Sequence, residues 1–306
     1  PIPKIHFKKL DKEPYIHEYY IRNLCDENKF RDWPIAEPLV LLRETIERWR
    51  GEMKKGIEDT SITSAMKILE LKAKYTNNDL RKAYKKLARL YHPDKNPNGR
   101  DMFEKIHESY EFLSHVELKL LETDLTDVVL FIKTQCIIYR RFPEAVADQK
   151  YPAYALLNKV LNVPGNVEDD ISEIDLELLV VGTELAFLTV GVSPLNALEF
   201  VKANVVPKLH SIITYAMARN NTQILLCALK AFTAILQFDT GHKAVLELCP
   251  EFSDNMFEIL KLDKDAPLCV ENCIEIISRG SSNSLLQIKF IESGVLWQLL
   301  PMLLSF

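Results

Sequence analysis

Apolar positions recur along this chain at spacings of three and four, and strand-like alternation is nowhere sustained. The pattern predicts an all-α protein. From Pro38, the residues Leu41, Leu42, Ile46 and Trp49 share one face of a helix that Gly51 is placed to stop, and Gly51–Thr60 reads as a short polar connection. A short helix follows over Ser61–Leu71. Thr76-Asn-Asn-Asp79 has the form of a capping box, with the Thr76 hydroxyl accepting from the Asp79 amide. The helix it opens puts Leu80, Ala83, Tyr84, Leu87, Leu90 and Tyr91 on one face. The next puts Phe103, Ile106, Tyr110 and Leu113 on one face. Only the segment from His92 to Gly99 joins the two, which predicts an antiparallel helical hairpin with a prominent loop.

Helices are predicted beyond the hairpin over 125–141, 150–162, 172–190, 194–203, 207–219, 222–238, 241–248, 253–262, 267–279 and 284–305, punctuated by proline and glycine. Ala197–Ile213 recurs loosely at Ala244–Leu260 and again near Ile288–Leu304. Gln223–Leu236 and Leu268–Ile277 supply the helices between. Intervals in the forties with two or three helices per unit predict an armadillo- or HEAT-like array. The chain therefore divides into a lead-in over 1–60, a hairpin unit over 61–114 and a helical array over 115–306. The lead-in is irregular over 1–33 but rich in aromatics that need somewhere to pack, and carries one long helix at about 38–50. Neither glycine nor proline occurs between Gly99 and Pro143, so the hairpin is expected to run semi-rigidly into the array.

A chain of 306 residues is long enough for two or more cores. It starts at Pro1 and ends in the apolar run Met302–Phe306, so both ends read as cuts from a longer polypeptide. The residues given ahead of the first unit carry no secretory-signal pattern. The uncharged stretch Leu185–Leu198 contains Pro194 and is too short for a membrane span. Cysteines 25, 136, 227, 249, 269 and 273 are scattered through helical patterns, which favours reduced thiols in an intracellular compartment. Cys269 and Cys273 share a helix face, but no histidine or second cysteine pair accompanies them, so buried thiols are expected and no metal. Asn220-Asn221-Thr222 is a formal glycosylation sequon that an intracellular protein leaves unused.

Charge changes the picture more than composition does. Residues 1–100 carry 22 basic against 15 acidic side chains, whereas 101–306 carry 16 against 28. The positive end includes Arg81, Lys82, Lys85, Lys86, Arg89, Lys95 and Arg100, on and just beyond the first hairpin helix and mostly opposite its apolar face. A single-sign face of this kind steers and orients an acidic partner surface. Nucleic acid is a poor alternative, because the segment exposes no stacking aromatics and the remaining body is acidic. At the loop, Pro93 fixes its own backbone and restrains His92, so the His92 imidazole and the Asp94 carboxylate are presented with little entropy left to lose. No glycine-rich phosphate loop and no nucleophile–base pattern occurs, so no catalytic residue and no cofactor is expected.

The residues Arg81–Ala88 (Arg-Lys-Ala-Tyr-Lys-Lys-Leu-Ala), Tyr91–Pro97 (Tyr-His-Pro-Asp-Lys-Asn-Pro) and Phe103–Ser114 together resemble a complete DnaJ-type (J) domain. The resemblance implies a co-chaperone without chemistry of its own. His92, Pro93 and Asp94 would stimulate ATP hydrolysis by an ATP-bound heat-shock protein 70 class chaperone, and Arg81, Lys82, Lys85, Lys86, Arg89 and Lys95 would dock it. Leu80, Tyr84, Leu87, Phe103, Ile106, Tyr110 and Leu113 would form the domain core. Two positions depart from the family: Ala65-Met66 replaces an aromatic pair in the first helix, and Ser109 replaces a smaller residue before Tyr110. A J domain set mid-chain before armadillo-like helices also resembles the endosomal J-domain proteins of receptor-mediated endocytosis. That resemblance implies a cytoplasmic, peripheral endosomal scaffold acting in clathrin coat removal and in sorting nexin and retromer-dependent traffic. A second reading stands beside it: a helical-repeat interaction scaffold for sorting proteins whose J domain is covered or secondary.

Overall fold

A computed structural model describes residues 14–71, 77–92, 99–115, 125–164, 170–262 and 265–304. Among them regular structure is helical throughout. The chain falls into two compact units, one formed by Trp49–Asp124 and the other by Pro1–Arg48 together with Leu125–Phe306. The lead-in therefore shares a unit with the array, and the J-like segment is an insertion in sequence between them.

Two expectations for the first 70 residues are corrected. The lead-in contains a helix, α1 (Pro14–Cys25). The stop expected at Gly51 is also absent: α2 (Pro38–Ile68) is one helix where two helices and a polar connection are predicted. Gly51 is exposed, and a side chain added there would meet nothing. The glycine thus costs only its propensity, about 1 kcal/mol relative to alanine, and no proline intervenes before Pro93 to break the run. The short first helix expected for the J domain is the last part of this longer one.

In the unit Trp49–Asp124, α3 (Asn77–Leu90) and α4 (Arg100–His115) form the predicted hairpin. The capping-box residue Thr76 lies outside the described residues; Asp79 stands in the first turn of α3, where a carboxylate suits the helix dipole. The core joins Ala65 and Leu69 of the first helix to Leu80 and Leu87 of α3 and Ile106 and Leu113 of α4, all at most 5% exposed. Met66, Tyr84 and Tyr110 pack around it half-buried. Ala65 and Met66 thus fill the place of the missing aromatic pair with aliphatic volume.

The second unit is built from three-helix repeats. After α5 (Leu125–Arg141) come α6 (Pro143–Val146), α7 (Tyr154–Val160), α8 (Glu173–Val190), α9 (Pro194–Lys202), α10 (Val206–Ala218), α11 (Thr222–Ile235), α12 (Asp239–Leu248), α13 (Phe252–Leu260), α14 (Pro267–Gly280), α15 (Ser284–Glu292) and α16 (Val295–Leu304). Helices of the same rank stack in columns. α5, α8, α11 and α14 form one, α9, α12 and α15 a second, and α10, α13 and α16 a third. The sequence repeats at Ala197–Ile213, Ala244–Leu260 and Ile288–Leu304 are the second and third helices of successive units. The array is armadillo-like, as the period predicts. One boundary is corrected: the helix predicted over 284–305 breaks between α15 and α16, where Gly294 takes φ +87°.

Side-chain hydrogen bonds tie each repeat to the next. Lys133 to Glu177, Tyr151 to Asn196, His210 to Asn255, Arg279 to the Thr233 carbonyl, and Cys269 to the Thr222 carbonyl link partners 44 to 47 residues apart. The lead-in extends the first column. α1 packs on α5, Cys25 Sγ meets the Leu130 carbonyl at 3.4 Å, Arg140 bonds Glu27 at 2.5 Å, and Arg141 donates to the Trp33 carbonyl at 3.0 Å. Its aromatics also pack on one another, Phe30 lying edge-on to Trp33 at 5.0 Å and Tyr20 donating to the Pro34 carbonyl.

Close approach between helices sets one glycine. A Cβ at Gly241 would stand 2.2 Å from the Ile235 carbonyl oxygen and 2.6 Å from the Ile235 Cγ2. A backbone atom cannot swing aside. Gly241→Ala is expected to destabilise the array by about 1–3 kcal/mol, read as a lower midpoint in chemical denaturation.

Candidate functional site

The α3 sequence separates apolar from basic positions around one helix. Leu80 and Leu87 point into the core at 2% and 3% exposure. Arg81, Lys82, Lys85, Lys86 and Arg89 are all exposed. Leu90, expected on the apolar face, is instead 59% exposed, so an aliphatic side chain joins the cations at the loop end of the helix.

The opposite wall holds this helix in register. The Tyr84 ring stacks on Tyr110 at 4.2 Å, and its hydroxyl lies 3.2 Å from His107 Nδ1. Ser109 is buried and its hydroxyl donates to the Lys105 carbonyl at 2.7 Å. The hydroxyl is thus satisfied inside α4, and the departure from a smaller residue leaves no orphan polar group.

Beyond Leu90 the helix ends through Tyr91, whose amide still bonds the Leu87 carbonyl. His92 follows, exposed, with its ring edge-on to Phe103 at 5.7 Å between centroids. Phe103, expected in the core, is half-buried and meets the His92 ring from the first turn of α4. Pro93, Asp94 and Lys95 lie outside the described residues.

One residue of this surface was not legible in the pattern. Lys86 Nζ is 3.2 Å from Glu70 Oε2, and both side chains are well exposed. Glu70 sits just past the end of α2, where neither helical periodicity nor a charge motif marks it.

Elsewhere the candidate groups are structural. Cys269 and Cys273 are buried, and the Cys273 thiol donates to the Met256 carbonyl. Burial pushes the Cys273 thiol up and the Cys249 thiol up to about 12, so neither offers a thiolate near neutral pH. The sequon residues Asn220 and Asn221 are spent on backbone geometry: Asn220 takes φ +50°, and Asn221 caps α11 by accepting from the Ile224 amide.

A basic helix, an exposed histidine at its tip and a second helix bracing the tip define a J domain. Residues 65–120 match the DnaJ domain family, and the described residues from 125 onward form a helical array. It is similar to DnaJ homolog subfamily C GRV2 of Arabidopsis thaliana, 29% identical over an alignment of 343 residues that takes in the whole chain. The chain spans 13% of that relative's length. Similarity to DnaJ homolog subfamily A member 2 of Homo sapiens is 54% over 46 residues, covering 15% of this chain and 11% of that protein. Similarity to protein psi1 of Schizosaccharomyces pombe is 47% over 53 residues, covering 17% of this chain and 14% of that protein. No solved structure matches the chain.

Proposed function

We propose that this chain is a co-chaperone that docks the ATP-bound form of a heat-shock protein 70 class chaperone and accelerates its ATP hydrolysis. The observation that carries the reading is the single-sign exposed face of α3 leading directly into His92, which Phe103 braces from α4. Hydrolysis belongs to the partner. The chain binds a conformation of the partner from which hydrolysis is faster, and no residue here needs to touch the nucleotide.

Single-turnover ATP hydrolysis by a purified chaperone, with and without this chain, tests the proposal. If neither the chain nor residues 57–120 alone accelerates turnover, the reading fails. The charges make a separate prediction. Reversing Lys85 and Lys86 together to glutamate is expected to weaken docking roughly tenfold, on the scale of exposed charge pairs across an interface. The circular dichroism spectrum should stay unchanged, and added salt should mimic the reversal because exposed charges are screened. Loss of helicity would show instead that these lysines pack.

The endosomal setting is the finer part of the proposal. A J domain placed mid-chain ahead of an armadillo-like array supports a peripheral scaffold on endosomes, with clathrin coats and sorting nexin or retromer assemblies as its working partners. No helix among the described residues is long and apolar enough to cross a membrane. Imaging of the tagged full-length protein against endosomal markers is expected to show coincidence, and a diffuse distribution overturns this part.

A second reading, as an interaction scaffold, is favoured by one feature of the array. A groove of about 960 Å³ runs over α11 and α14, lined by Phe187, Lys230, Leu268, Ile274 and Arg279 among others. On that reading, sorting proteins bind the array equally well when His92 is replaced.

A further inference from the structure

Glu70 joins a left-handed backbone to an ion pair with the basic helix α3. Three non-glycine residues among those described take positive φ: Glu70 at +53°, Asn204 at +56° and Asn220 at +50°. Each stands just past a helix end. At α2 the Leu71 amide bonds the Met66 carbonyl at 2.9 Å and the Glu70 amide bonds the Lys67 carbonyl at 3.2 Å. That is a Schellman closure with Glu70 at the left-handed position, where glycine is preferred and asparagine tolerated. The array uses asparagine at its two such sites. Glutamate has no local hydrogen bond to offset the strain there, and a strained backbone that persists is a pointer to function.

The side chain supplies the second observation. From this position the Glu70 carboxylate reaches Lys86 Nζ at 3.2 Å, across 16 residues of sequence. Lys86 lies in the middle of the basic stripe of α3, with Lys82, Lys85 and Arg89 around it. We propose that Glu70 is an intramolecular competitor for the chaperone: it occupies Lys86 in the free protein, must release it on docking, and so sets the affinity of the J domain below what its basic helix alone would give. This inference rests on the co-chaperone reading above and names a regulatory residue of the same surface. The pair is exposed, so its grip is modest and readily exchanged for an acidic partner group.

The test is single-turnover hydrolysis titrated with the full chain at low salt. Glu70→Gln keeps the side-chain length and the backbone strain but removes the charge, whereas Glu70→Gly removes both. Both variants are expected to lower the concentration for half-maximal stimulation by roughly two- to fivefold, the range set by one exposed ion pair. In a Lys86→Met background Glu70→Gln is expected to change nothing. A gain seen with Glu70→Gly and not with Glu70→Gln would assign the effect to the backbone and overturn the inference. So would stimulation by the wild type with no shift in either variant, which leaves the co-chaperone reading intact. A wild-type chain that fails to stimulate overturns both.

Discussion

Replacing His92 with glutamine is expected to reduce stimulation of chaperone ATP hydrolysis to the unstimulated rate, with helix content and thermal midpoint unchanged. The imidazole is exposed and lies crosswise against the half-buried Phe103 ring, so its removal opens no core cavity. What it does touch is the geometry of the loop tip. Glutamine does not restore the ring against Phe103 or the direction that this contact gives it. Losing a desolvated polar group at a docking surface costs about 2–5 kcal/mol. That corresponds to a loss of roughly thirtyfold or more, enough to merge the signal with background. Asp94→Asn is expected to behave alike, because a carboxylate forks with an arginine and a carboxamide does not. Residual stimulation above half of the wild-type level in His92→Gln would place the signal elsewhere on α3.

The largest stability effect is expected at Asn196. This side chain is fully buried, and it joins two repeats. Its Oδ1 accepts from the Tyr151 amide at 3.0 Å, and its Nδ2 donates to the Thr189 carbonyl at 3.1 Å. The Gln149 carbonyl lies 3.5 Å from the same nitrogen. Asn196→Leu keeps the branched skeleton but is bulkier, leaves the buried Tyr151 amide without its partner and takes away one of several partners of the Thr189 carbonyl. At about 1–3 kcal/mol for the orphaned amide and about 1–3 kcal/mol for forcing a larger side chain into a packed site, the array loses roughly 3 kcal/mol or more. Chemical denaturation followed by circular dichroism should show the lower midpoint. Stimulation by the J domain, assayed well below that midpoint, should persist. An unchanged midpoint would mean that these groups find other partners.

The parts of this protein that a linear reading captures are those encoded within one or two helical turns. The α3–α4 hairpin, the basic face of α3 and the helices of the array all follow from spacings of three and four. Such spacings decide which side of a helix is apolar. Gly51 misleads for the converse reason. Whether a glycine ends a helix depends on what its missing side chain would have met, and at Gly51 that is open space. Leu90 and Phe103 are both apolar and both periodic, yet one is exposed and the other meets the His92 ring, since burial depends on what faces each position across the hairpin.

The sequence by itself determined that this chain is helical, that it carries a His-Pro-Asp loop on a basic helix, and that helical repeats follow. These are local matters of periodicity, charge and turn chemistry. Only the tertiary structure decided that the lead-in packs on α5, that buried asparagine and aromatic groups knit repeats some 45 residues apart, and that Glu70 holds Lys86. Those contacts join positions distant in the chain. No spacing rule within one helix can register them, because they exist only once separate elements bury their apolar faces against one another.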